Sequence, residues 1–127
     1  MIESTISALF IAVGIIHLLP LSGVASGERL SKLYGISFQE PNLVILMRHR
    51  AVLFGLLGAF FLHAAAQPAI QLPAFVAGFL SVGSFIVLAK AAGGYNTALA
   101  RVIAADLVAA ACLILGLSLW VLKRAPG

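Results

Sequence analysis

Four apolar stretches, each close to the thickness of a lipid hydrocarbon core, occupy nearly the whole of this sequence and leave it few folds other than a membrane bundle. They run from about Thr5 to Leu21, Asn42 to Ala66, Ala69 to Ala91 and Thr97 to Leu122. A helix needs roughly 20 such residues to cross a bilayer. Of the 127 residues, 62% are hydrophobic and only 9% charged, with a mean hydropathy of +1.13. A water-soluble domain of this size carries charge on about a quarter of its residues. The expectation is therefore one transmembrane domain over residues 1-127, all-α, forming an integral membrane antiparallel four-helix bundle.

The links support that topology. Gln67-Pro68 and Gly93-Gly94-Tyr95-Asn96 are tight, which makes the helices on either side antiparallel neighbours. The first link, about Ser22 to Pro41, is the only long one. Within it, Leu30, Leu33 and Tyr34 recur at helical spacing, with Glu28, Arg29 and Lys32 on other faces. That pattern predicts a short amphipathic helix in the membrane interface between the first two spans. Val24-Ala25-Ser26 has the small residues of a signal-peptide processing site. The segment before it carries Glu3 and no Lys or Arg, so it reads as a retained span.

Six basic residues, Arg29, Lys32, Arg48, Arg50, Lys90 and Arg101, fall on one side of such a bundle, against Lys123 and Arg124 on the other. The positive-inside rule then predicts a multi-pass protein of a bacterial inner (cytoplasmic) membrane with both termini periplasmic. The same rule explains the pI of about 9.9 without a nucleic-acid partner. A lone cysteine, Cys112, rules out a disulfide framework and any multi-cysteine metal site. There is no glycine-rich phosphate loop, serine nucleophile elbow or paired-histidine zinc motif, and no cofactor is implied. A metal or haem held by His17 and His49 would lack the third ligand such sites normally need.

What remains is a layer of polar groups at one depth. Arg48, His49 and Arg50 lie seven to nine residues after Pro41, roughly 10–14 Å into the second helix. Asp106 lies nine residues after Thr97, at the matching depth of the fourth, and is the only acidic residue within the four stretches. His17 and Lys90 reach the same side at the ends of the first and third helices, and Arg101 precedes Asp106 by just over a turn. The candidate ligand-binding residues are thus His17, His49, Arg50, Lys90, Arg101 and Asp106.

Successive helical residues point about 100° apart, so Arg48, His49 and Arg50 cannot all face inward. The deepest, Arg50, is expected to face Asp106 across the bundle. Arg48 is expected to snorkel to the headgroups, and His49 can turn either way. A structural ion pair is the competing reading of Arg50 with Asp106. Helix-end bonding competes at His17, and a topological role competes at Lys90. His63 and Trp120 read as interface residues, Cys112 as packing, and Asn96 and Thr97 as helix caps. Gly55 and Gly58, with Ala74, Gly78 and Ser81, and with Ala104, Ala105 and Ala109, are small enough to let helices approach closely.

At HLLP, ERLSKLYGI, LMRHRAVLFGLLGA, GGYN and ADLV the chain resembles a group of small bacterial four-span membrane proteins, and more loosely the DoxX-like small bundles. The resemblance covers most of the chain and implies the same architecture, without a catalytic assignment. Some of the group are labelled automatically as phosphopantetheine adenylyltransferases. Adenylyl transfer needs a phosphate cradle and usually a Rossmann-type sheet, and this sequence has neither.

Two functions follow from the polar layer. In the first, its net positive charge binds an anionic lipid headgroup, a metabolite or a partner subunit, without catalysis. In the second, the chain is a small membrane enzyme acting on a lipid-soluble substrate, with Asp106 or His17 as acid/base and Arg50 steadying an anion. The first is preferred, because no nucleophile or metal set accompanies Asp106. A transport role would require a homo-oligomer to enclose a pathway.

Overall fold

Helix boundaries fall where the sequence supplies stops and caps. The computed structural model describes residues 1–127 and consists of five α-helices without strands: α1 (Ile2–Leu18), α2 (Gly27–Tyr34), α3 (Pro41–Ala66), α4 (Gln71–Ala91) and α5 (Thr97–Arg124). Pro20 cannot continue α1, and the chain tightens there into a 3-10 turn over Leu19–Val24. Glu40 caps α3, accepting from the backbone N–H of Asn42 and Leu43, and Pro41 takes the first helical position. Asn96 caps α5 by accepting from the N–H of Leu99 at 2.8 Å.

Four helices are long and apolar enough to cross a membrane: Ile2–Val24, Pro41–Ala66, Pro68–Ala91 and Thr97–Arg124, the first and third counted with their 3-10 turns. Glu3, expected outside the first span, lies in the first turn of α1, where a negative charge suits the helix dipole, and it pairs with Lys123 of α5. The two chain ends therefore share one end of the bundle. The other end carries α2.

Around the bundle, α1 sits between α3 and α5, α4 rests on α5, and α4 meets α3 only sparingly. The inward face of α1 is Ile6, Phe10, Val13 and His17, at spacings of four, three and four. Phe10 packs on Phe75 of α4, with ring centroids 4.6 Å apart, and Phe61 of α3 closes the layer. The closest approach is between α1 and α3. A Cβ placed on Gly58 would lie 2.9 Å from the Gly14 carbonyl oxygen, so the two backbones touch. Only 22 of 127 residues are buried, and the outer surface is Leu46, Leu56, Leu80, Leu88 and similar side chains. Such a surface suits the lipid of a membrane.

The predicted amphipathic helix forms as α2. Its apolar residues Leu30 and Tyr34 are buried, and with Phe38 they pack on Val44 and Met47 of α3 and on Leu99 and Val102 of α5. The apolar face is thus turned to protein, and α2 lids the end of the bundle. Gly35 ends it in the left-handed conformation (φ 67°), which a residue without a Cβ adopts freely. Asn96 then donates to the Tyr34 carbonyl at 2.8 Å, tying the end of α2 to the start of α5.

Candidate ligand-binding site

Beneath α2, where α3 and α4 diverge, lies a cavity of about 290 Å³. Its polar lining is His17 at the end of α1, Lys32 and Tyr34 of α2, Arg50 of α3, and Arg101 and Asp106 of α5. Four of the six expected residues, His17, Arg50, Arg101 and Asp106, therefore meet around one space. The other two do not join them. His49 is exposed and Lys90 is exposed, and neither lines the cavity. Each points away because the helix turns by about 100° per residue, which carries His49 off the Arg50 face and Lys90 off the Phe85 face.

Arg50 faces inward, as its depth predicts, but it does not pair with Asp106. The only ion pair in the structure is the one between Glu3 and Lys123. Arg50 instead donates from Nη1 to the Tyr34 hydroxyl at 2.7 Å. Its guanidinium lies against three rings, 4.6 Å from the centroid of Phe54, 5.4 Å from Tyr34 and 5.8 Å from Phe85. Aromatic faces attract a cation through their quadrupole, most strongly where water is excluded. The expected ion pair is replaced by an aromatic cage. Asp106 shares the cavity with Arg50 and Arg101 but has no cationic partner within 4.0 Å.

His17 is 2% exposed and fully engaged. Its Nδ1 lies 2.9 Å from the Val13 carbonyl, which can only accept, so Nδ1 carries a proton. Its Nε2 lies 3.2 Å from the Ser81 hydroxyl of α4. The ring also meets Phe61 edge-on at 4.9 Å. His17 thus fastens α1 to α4 beside the cavity. Arg48 donates from Nε to the Val24 carbonyl at 2.6 Å, closing the 3-10 turn. His17 and His49 do not face a common space, and no three His, Cys, Asp or Glu side chains gather as a metal would require.

Sequence reasoning missed Lys32, Tyr34, Phe54 and Phe85. For Phe54 a signal existed: it follows Arg50 by four residues and so shares its helical face. For the others, only tertiary folding brings them near. No protein-family model, curated protein or solved structure matches the chain, so the chemistry of the site rests on this geometry.

Proposed function

We propose that this chain is a multi-pass protein of the bacterial cytoplasmic membrane that binds an anionic ligand, a phosphate or carboxylate group borne by a lipid or metabolite, in the cavity under α2. The observation that carries this reading is the caged Arg50. Its guanidinium has five N–H donors, and the single bond to Tyr34 leaves most of them for a ligand. Ring faces hold the cation without neutralising it, so its charge remains available. Lys32 and Arg101 add two further cations against one carboxylate, and the lining between them is apolar. A planar guanidinium recognises phosphate or carboxylate bidentately, and does so best away from bulk water. Six basic residues near this end, against two at the other, favour placing it at the cytoplasmic face with both termini in the periplasm.

The test is thermal unfolding of the purified protein in detergent with and without a bacterial polar lipid extract. A ligand that binds only the folded state raises the midpoint. Lipid is expected to raise it for the wild type and for Arg48→Gln, whose side chain lies off the cavity, and to leave Arg50→Gln unmoved. An equal shift in all three contradicts the reading. Consumption of a lipid in the extract, abolished by Asp106→Asn, would replace binding with catalysis.

A further inference from the structure

The charges around the cavity are of mixed sign, and its one negative group lacks a partner. Asp106 lines the cavity with Arg50, Arg101 and Lys32, yet forms no ion pair within 4.0 Å. The simplest internal solution would be to swing Arg50 across. That guanidinium is already held by the Tyr34 hydroxyl and packed on Phe54 and Phe85. His17 offers no help, because Val13 and Ser81 occupy both of its ring nitrogens. Asp106 is half-buried, and a purely anionic ligand in the cavity would lie against its carboxylate. A ligand with an ammonium beside its phosphate removes that repulsion.

A second cleft, of about 450 Å³, shares Tyr34, Arg50 and Phe85 with the cavity. The rest of its wall is chiefly apolar, with Met47 of α3 and Leu88 of α4 among its residues. It lies at the α2 end of the bundle, between the start of α3 and the end of α4, with Gly94 and Tyr95 of the following link in its wall. Arg50 stands at its inner end, so the cleft leads from the α2 end of the bundle to the guanidinium.

Building on the anionic-ligand reading, we infer that the bound molecule is zwitterionic, its phosphate on Arg50, Arg101 and Lys32 and its primary ammonium on Asp106. Phosphatidylethanolamine has this chemistry. Phosphoethanolamine has the same head without the chain, and phosphatidylglycerol has the phosphate and chain without the ammonium.

The experiment is native mass spectrometry of the full-length protein, stripped of lipid and then offered equimolar phosphatidylethanolamine and phosphatidylglycerol. The wild type is expected to retain phosphatidylethanolamine about tenfold over its competitor, the scale of one hydrogen bond between charged groups. Asp106→Asn brings the ratio close to parity while lipid is still retained through Arg50. The wild-type ratio decides the matter even if that variant fails to fold. Equal or greater retention of phosphatidylglycerol by the wild type overturns the zwitterion and leaves the anionic-ligand reading standing. Binding of neither lipid nor phosphoethanolamine overturns the zwitterion, and with an unmoved midpoint in the lipid extract it overturns the anionic-ligand reading as well. In a parallel arm, phosphoethanolamine at the same concentration separates the two sources of this head: displacement of the lipid points to the soluble molecule, and retention of the lipid to the membrane.

Discussion

Arg50 lies nine residues into α3, between Tyr34, Phe54 and Phe85. Cation–ring contacts contribute about 1 kcal/mol each, and a hydrogen bond to a charged group about 1.5 kcal/mol. Together these are comparable with the ~3 kcal/mol that an arginine costs at the centre of a membrane helix. The cage can therefore hold the cation without a counter-ion, which explains why Asp106 stays free. Glu40 shows the opposite arrangement, a charge satisfied by backbone. Donation from the N–H groups of Asn42 and Leu43 holds its carboxyl below the ordinary carboxylate range. A lowered value in the folded state means that the charged cap stabilises α3 above about pH 4.3 and is lost as pH falls through that lower value. Glu40→Gln should accordingly lower the unfolding midpoint near neutrality, by circular dichroism in detergent, and converge with wild type in acid. A difference that persists in acid contradicts the charged-cap account.

At the scale of elements, the helices follow from local rules, whereas their rotations follow from packing. Pro41, Asn96 and the Gly93-Gly94 link mark ends that the structure keeps within a few residues. Each long helix is apolar on nearly every face, so hydrophobic periodicity cannot say which side turns inward. Small residues say more. Gly58 and Gly78 are buried where predicted, although Ala104 is exposed and the partner of Gly58, Gly14, was not foreseen. In α5 Asp106 shares an inward face with Ala109, Leu113 and Gly116, and it was legible as the only acidic residue in the four stretches, at the depth of Arg50. The aromatic cage was not legible, because eight phenylalanines are scattered through the chain and a cation–ring contact between separate elements has no sequence spacing. Membrane helices associate through close packing. Gly58→Leu must part α1 from α3 and should cost about 1–3 kcal/mol, the usual penalty of overpacking. Gly83→Ala meets nothing within 4 Å and should leave the midpoint unchanged or raise it. Equal behaviour of the two variants would remove the α1–α3 crossing from the account.

Across the whole molecule, most charged groups line the cavity or lie near the ends of the bundle, and the exposed surface of the long helices is chiefly apolar. The end under α2 carries the cavity, the cleft and most of the basic residues. The other joins the chain termini through Glu3 and Lys123. If the basic end is cytoplasmic, Ser37→Cys should be shielded from an impermeant maleimide in intact cells while Ala125→Cys is labelled, both positions being exposed in the fold. The reverse pattern inverts the topology. The central claim concerns Arg50 itself, and the distance from its guanidinium to the nearest lipid phosphate in crystals grown from a lipid mesophase tests it most directly. A nitrogen-to-oxygen separation of about 2.8 Å, with the three rings still against the guanidinium, is the result expected of charge-assisted recognition. An Arg50 turned onto Asp106, with no phosphate beside it, would contradict the account.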